Sequence, residues 1–314
     1  MKKLVVFAVL AAIVASCADD NPPQIEKSSE LVSPRLLMDV STESGQSPLT
    51  GILTIMPCKA GTSIYYGNYI NRKLTPFYGY YQVKDGAFYN DGVNRELSLP
   101  AGLYNMIYWG TPKYEEPIYA HPLMRDPVYI LGEDMSRQHF SLFKMEADTT
   151  DLVHAVQPAN IGSEDLKASL KRVVTGLKVI IKDKNNGILS SSIDSMVVRI
   201  TNIAGELNFY TAAPQGSPRT VAFPLVRSVD GTQMSNATVM LFPSFGKPEF
   251  QMSIILKNGN VKSFKQTLNG PLEANSKLTL TLTLGDIFSE ESSGEFTLDN
   301  WNEESQTIDV PSLD

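Results

Sequence analysis

The sequence has 314 residues, 42% of them hydrophobic, and its 27 basic and 34 acidic side chains give a net charge of −7. This length predicts two domains, with enough apolar material for a packed core. The acidic balance argues against nucleic acid as a partner, because proteins that bind nucleic acids carry a basic patch.

The N-terminus has the pattern of a secretory signal. Lys2 and Lys3 precede an apolar run at 4–15, which is too short for a transmembrane helix of about 20 residues. The next residues, Val-Ala-Ser-Cys at 14–17, resemble the bacterial lipobox, in which the cysteine thiol takes a diacylglycerol. We therefore predict a signal peptide at 1–16 and lipidation of Cys17. The alternative is a chance cysteine at the end of an ordinary signal.

Lipidation of Cys17 would make the outer membrane a partner through lipid, since two or more acyl chains hold a protein stably on a bilayer. Asp19 and Asp20 resemble the surface-export tag of Bacteroidales-type lipoproteins, which implies display on the cell surface. Cys58 would then be the one remaining thiol, so no intramolecular disulfide is expected. We expect it to be buried and inert.

The first part of the mature chain is predicted to be a tether followed by a β-sandwich domain. Residues 17–33 are polar and contain two prolines, as tethers do. The domain is placed at 34–158, because Gln157-Pro158 reads as a junction. Its strands are expected at 36–40, at 51–56 with a stop at Pro57, at 97–99 and 103–109 around a Pro-Ala-Gly turn, at 137–145 and at 151–156.

A second β-sandwich domain is predicted at 159–314. Residues 163–166 fit a helical turn or an N-capped segment. The sequence also predicts an Asn258-Gly259 hairpin and strands at 170–181, 195–202, 238–242, 250–256 and 277–284. In 277–284 leucine alternates with threonine, which places four leucines on one face of a strand. Residues 296–314 either complete this sandwich, which we favour, or serve as a donor strand for a neighbour.

The sequence contains no motif of a known catalytic site: no GxSxG, P-loop, dinucleotide fingerprint, HExxH or CxxC. Its three histidines, His121, His139 and His154, have no spacing that indicates a zinc site. We therefore predict no catalytic residue, no metal site and no cofactor.

An aromatic run at 64–89 allows two interpretations. Exposed rings, above all Tyr78, Tyr80 and Tyr81, would stack on sugar faces and make the protein a surface glycan-binding lipoprotein. Alternatively, the same rings form cross-strand pairs inside a sandwich. We favour the structural interpretation.

The order of several segments resembles the fimbrillin superfamily of Bacteroidales-type bacteria, and within it the family of fimbrial anchor and minor subunits. The segments are the lipobox, LSLPAGLYNMIYWG at 97–110, DLVHA at 151–155, LKRVVTGLKVIIK at 170–182, LEANSKLTLTLTL at 272–284 and DNW at 299–301. The resemblance implies an all-β fold of two tandem transthyretin-like (Greek-key) β-sandwich domains, without catalysis. It also implies a fimbrium at the cell outer membrane whose subunits join by strand exchange, an extended segment of one chain pairing with another.

The resemblance leaves the place in the filament open between anchor, which we favour, stalk subunit and tip adhesin with a host or bacterial surface ligand. In stalk subunits of this superfamily, cleavage after an arginine frees a groove, and Arg35 is the candidate here. Cleavage there would remove the lipid, so we expect Arg35 to stay uncut and the strand at 36–40 to stay in its own sheet. Thr149 and Ser195 match a short O-glycosylation motif of these bacteria.

Overall fold

The computed structural model consists almost entirely of β-strands. It describes residues 30–42, 45–70, 73–88, 94–112, 132–141, 151–183, 185–284, 291–298 and 306–311. Among these residues the one helical element is a 3-10 turn at Met135–Arg137, which begins with the Asp134 side chain accepting the Ser136 backbone N–H. No helix in the described part of the chain is long and apolar enough to span a membrane.

The first part of the chain forms strands β1 to β13. They are β1 (Leu31–Val32), β2 (Leu36–Thr42), β3 (Gly45–Ser47), β4 (Gly51–Lys59), β5 (Gly67–Ile70), β6 (Lys73–Pro76), β7 (Gly79–Lys84), β8 (Ala87–Phe88), β9 (Leu99–Pro100), β10 (Gly102–Pro112), β11 (His139–Ser141), β12 (Val153–Ile161) and β13 (Leu166–Arg172).

Eight of these strands form one sheet in the order β3-β2-β13-β12-β10-β4-β7-β8. All neighbours are antiparallel except β2 and β13, which run parallel. Two short pairs, β1 with β9 and β5 with β6, lie outside this sheet. A hydrophobic core lies against one face of the sheet, with Leu53, Tyr108 and Leu170 among its fully buried members.

The second part of the chain forms strands β14 to β25. They are β14 (Thr175–Asp183), β15 (Ile193–Ile203), β16 (Glu206–Asn208), β17 (Pro214–Gln215), β18 (Arg219–Arg227), β19 (Gln233–Ser235), β20 (Val239–Leu241), β21 (Glu249–Leu256), β22 (Val261–Thr267), β23 (Lys277–Leu284), β24 (Glu291–Leu298) and β25 (Gln306–Pro311).

Most of these strands belong to a second sheet in the order β22-β21-β15-β18-β19-β14-β23-β24-β25, with β20 paired to β14. Its alternating strands bury one side: all four leucines of β23 are buried, as its pattern predicts. The β23 strand runs parallel to β14 and antiparallel to β24, so it lies in a mixed sheet. The last strand, β25, pairs with β24 of its own chain, which is the arrangement that we favoured.

Several strand boundaries differ from the sequence predictions. Strand β4 continues through Pro57 to Lys59. The Pro57 carbonyl accepts the Tyr66 N–H on the edge of β4 away from β10. The N–H that proline lacks would point to that same edge, so no hydrogen bond to β10 is lost. Strand β9 pairs with β1 and makes no hairpin with β10. The helical turn at 163–166 is instead the turn of the β12–β13 hairpin.

The stretch at 170–181, predicted as one strand, is divided by Val173 and Val174 into the end of β13 and the start of β14. The first sheet therefore continues past residue 158, the predicted domain boundary, to Arg172. At the other end, Leu31 and Val32 pair with β9 and so belong to the fold, although they lie in the predicted tether. Of the strand predicted at 137–145, the described residues show β11 alone, after the 3-10 turn.

The two parts of the chain share one hydrophobic core, which joins residues of β4 and β10 to the buried faces of β14, β15 and β21. Trp109 lies in it: its Nε1–H donates to the Phe209 carbonyl at 2.9 Å, and its ring contacts Phe140 and His154 with centroids 4.5 Å apart. Strand β11 pairs with β16, and β16 with β17, so a small sheet also connects both parts. Backbone pairing and a buried indole thus fix their relative position.

Candidate subunit-assembly site

Strand β2 and its surroundings form the candidate site, because they are the segment that strand exchange would involve. The β2 strand runs parallel to β13 with Leu36 opposite Leu166, and on its other edge β3 pairs with residues 40–42. The Leu166 N–H donates to the Arg35 carbonyl at 2.7 Å, so backbone bonding begins just before the strand. The strand at 36–40 therefore lies in its own sheet.

Arg35 lies between two paired segments, β1 and β2, with an exposed side chain. It borders a cavity of about 360 Å³ that is also lined by Pro34, Leu36, Tyr81, Phe88 and Glu96. A protease has to hold several residues around the cleaved bond in extended form, and here the backbone on both sides is engaged in the fold. This geometry disfavours cleavage of the folded chain, and an uncut Arg35 remains a prediction.

The three tyrosines proposed for glycan stacking are buried: Tyr78 is 8% exposed, and Tyr80 and Tyr81 are each 4% exposed. Tyr81 accepts the Leu97 N–H on its hydroxyl at 2.6 Å and stacks on Phe88, and the Arg95 guanidinium lies 4.1 Å from the Tyr78 ring centroid. Burial raises the pKa of Tyr81 to about 12. The glycan-stacking interpretation is therefore wrong for these rings, because their faces are occupied by protein.

The other predicted sites are placed as follows. Cys17 and Thr149 lie outside the described residues. Ser195 is half-buried in β15, which pairs with β18 and β21 on its two sides, so a glycan there would have to leave the outer face of a central strand. Lipidation of Cys17 and O-glycosylation of Thr149 and Ser195 therefore remain predictions.

The titratable groups near the shared core are held in their neutral forms. His154 is buried on β12, and burial lowers its pKa to about 4, while a hydrogen bond with the Tyr210 backbone acts in the opposite direction. Burial, and secondarily the charge of Asp134, raises the pKa of the Cys58 thiol to about 12. No group of three His, Cys, Asp or Glu side chains with metal-binding geometry occurs among the described residues.

Sequence reasoning missed the residues that connect the two parts. Besides Trp109 and Phe209, Asn105 donates through Nδ2 to the Tyr210 hydroxyl at 3.1 Å across this contact. The sequence contained one signal for this contact: β10 has apolar and aromatic residues on both of its faces, as a strand covered on both sides does.

Comparisons with known proteins agree with this architecture. The Porphyromonas gingivalis fimbrial anchor protein Mfa2 aligns with a TM-score of 0.52 at 14% identity, over 88% of this chain and 99% of that one. A candidate cell adhesion protein from Bacteroides uniformis aligns with a TM-score of 0.50 at 13% identity, over 87% and 98%. No curated protein matches the chain in a sequence search.

The fold thus belongs to a class of all-β proteins that includes fimbrial and adhesion proteins. A family model described as the fimbrillin-A associated anchor proteins Mfa1 and Mfa2 matches residues 31–307, which is most of the chain. The chain belongs to this family, as its segments suggested. It is accordingly a fimbrial protein and not an enzyme.

Proposed function

We propose that this protein is the anchor subunit of a surface fimbria, held in the outer membrane by lipid on Cys17 and joined to other subunits by strand addition. The observation that carries the proposal is the family match, whose description names anchor proteins. Fourteen positions separate Cys17 from Leu31, the first residue of β1. An extended chain of that length reaches about 50 Å, which keeps the fold near the membrane.

In this proposal the fold consists of two tandem transthyretin-like sandwiches, and the short Val173-Val174 segment is the junction between them. Both valines are buried, and the Val173 N–H donates to the Leu152 carbonyl at 2.9 Å. The strand β2 stays in place in this proposal, because cleavage at Arg35 would release the fold from its lipid.

The test is immunogold electron microscopy on the native bacterium, beside a strain that carries Cys17→Ala. Gold at the bases of filaments, together with filaments shed into the medium by the variant strain, is the expected result. Gold along the shafts would identify a stalk subunit, and gold at free ends a tip subunit; either would overturn the anchor role. Labelling with radioactive palmitate, present in the native protein and absent in the variant, tests the lipid itself.

A further inference from the structure

The second part of the chain contains three Asn-Gly pairs, at 186–187, 258–259 and 269–270. In such a pair the backbone nitrogen of glycine can attack the side-chain carbonyl carbon of asparagine. A C–N bond forms, ammonia leaves, and water opens the resulting cyclic imide to isoaspartate or aspartate. Glycine favours the attack because it has no Cβ to hinder the approach of its nitrogen. By sequence alone, all three pairs are therefore candidate modification sites.

Folding protects such a pair when the glycine N–H donates a hydrogen bond. The nitrogen has to lose this proton and turn toward the asparagine side chain before it can react. A local opening of the fold must then come first, and the free energy of that opening lowers the rate. The hydrogen bonds of the three glycines thus decide which pairs can react in the folded protein.

Two of the pairs are held by such hydrogen bonds. The Gly259 N–H donates to the Leu256 carbonyl at 2.8 Å, within the turn that connects β21 and β22. The Gly187 N–H donates to Oδ2 of Asp183 at 3.3 Å, and the same oxygen accepts the Asn185 N–H at 2.9 Å. The negative charge of this carboxylate also opposes the loss of a proton from the amide beside it.

The third pair lies in the connection between β22 and β23 and is not held in this way. Among the described residues, the Gly270 N–H donates to no backbone carbonyl. Apart from its neighbours in the chain, no heavy atom lies within 4 Å of the position that a Cβ on Gly270 would take. Asn269 itself is exposed. The glycine nitrogen therefore has room to turn toward the asparagine side chain.

The residues on either side of this pair are fixed in the fold. Leu268 and Leu272 are both buried. The Leu268 N–H donates to the Pro248 carbonyl at 2.9 Å, and the Leu272 N–H donates to the Ser244 hydroxyl at 2.8 Å. The turn of the backbone that the reaction requires is thus confined to residues 269–271, and the strands on both sides can stay folded.

We propose that Asn269 is a site of spontaneous deamidation in the folded protein, whereas Asn186 and Asn258 stay intact. Water is the one co-reactant that the conversion needs. The product adds one negative charge to an exposed loop, and in the isoaspartate form it adds one carbon atom to the backbone between two buried leucines. The modified fraction rises with time after folding, so it records the age of each molecule. The inference does not depend on the proposed fimbrial role.

The test incubates the mature chain with Cys17→Ala at mildly alkaline pH and follows the three pairs by peptide mass spectrometry and isoaspartate analysis. In the folded protein we expect Asn269 to react at least about tenfold faster than Asn186 and Asn258. In urea all three should react at similar rates. Gly270→Ala, for which the fold has room, should slow the reaction of Asn269 at least about tenfold and leave the other two pairs unchanged.

Three results would overturn the inference: equal rates at the three pairs in the folded protein, a faster reaction at Asn186 or Asn258, or a Gly270→Ala variant in which Asn269 reacts as fast as in the parent. Unchanged protection of the other two pairs shows in the same sample that the variant has kept its fold. The comparison of the three pairs in the parent protein decides the question even if Gly270→Ala fails to fold.

Discussion

Arg172 binds Asp151 through two charge-assisted hydrogen bonds, from Nε to Oδ1 at 2.7 Å and from Nη2 to Oδ2 at 2.6 Å. Both side chains are largely buried, with 5% and 12% of their surface exposed. The pair ties the last residue of β13 to the segment that enters β12, at the point where the chain leaves the first sheet. It therefore holds the junction between the two parts.

Arg172→Met should lower the free energy of unfolding by about 3 kcal/mol, because it leaves the Asp151 carboxylate buried without its cation. Urea denaturation measures this loss. Lys171→Met, a change at the exposed neighbour, is the matched control and should stay within about 0.5 kcal/mol of the parent protein. Equal effects of the two substitutions would show that the ion pair contributes nothing specific.

Acid should destabilise the protein through His154. The imidazole is neutral in the folded state, where its pKa is about 4, whereas in the unfolded chain it takes up a proton below about 6.5. The unfolded state then binds more protons between these values, so the free energy of unfolding falls as the pH decreases through this window. The contribution is complete above pH 6.5 and amounts to about 3 kcal/mol.

The measurement is urea denaturation at several pH values for the parent protein and for His154→Gln. The difference between their slopes isolates the histidine from the carboxylates, which titrate in the same range. A parent protein that loses no more stability in acid than His154→Gln would refute the prediction.

Cys58 should resist alkylation in the folded protein. Its side chain is fully buried and its pKa is about 12, so at pH 8 almost no thiolate exists and reagents have no access to it. Mass spectrometry after treatment of the Cys17→Ala chain with iodoacetamide should show no adduct in buffer and one adduct in urea. Rapid modification in buffer would mean that this part of the core opens readily.

Trp109 should couple the two parts of the chain. Trp109→Phe removes the donor to the Phe209 carbonyl and part of the ring contact, and we expect a loss of about 1–3 kcal/mol and a broadened or divided unfolding transition. Tyr104→Phe also removes a buried hydrogen bond, the one to the Pro100 carbonyl, but lies within the first part. It should lower stability without dividing the transition, and a divided transition in both variants would contradict the coupling role.

The aromatic run shows where sequence patterns stopped being informative. The sequence pattern at Tyr78, Tyr80 and Tyr81 fits an exposed platform and a buried layer equally well. Alternation alone does not show whether the second face of a strand is covered by protein. The core shared with the second part of the chain covers one face, and the first core covers the other. The residues that cover them are distant in sequence, such as Trp109 and Leu177.

Local chemistry determined a good part of this protein from the sequence alone. The alternating leucines of β23 and the Asn258-Gly259 turn, where Gly259 has a φ of +84°, form as predicted because their signals depend on neighbouring residues. The order of segments also identified the family correctly. Tertiary structure decided the rest: the parallel pairing of β2 with β13 and the burial of the tyrosines. Each of these depends on which distant strand lies alongside, and that choice follows from burial summed over the whole core.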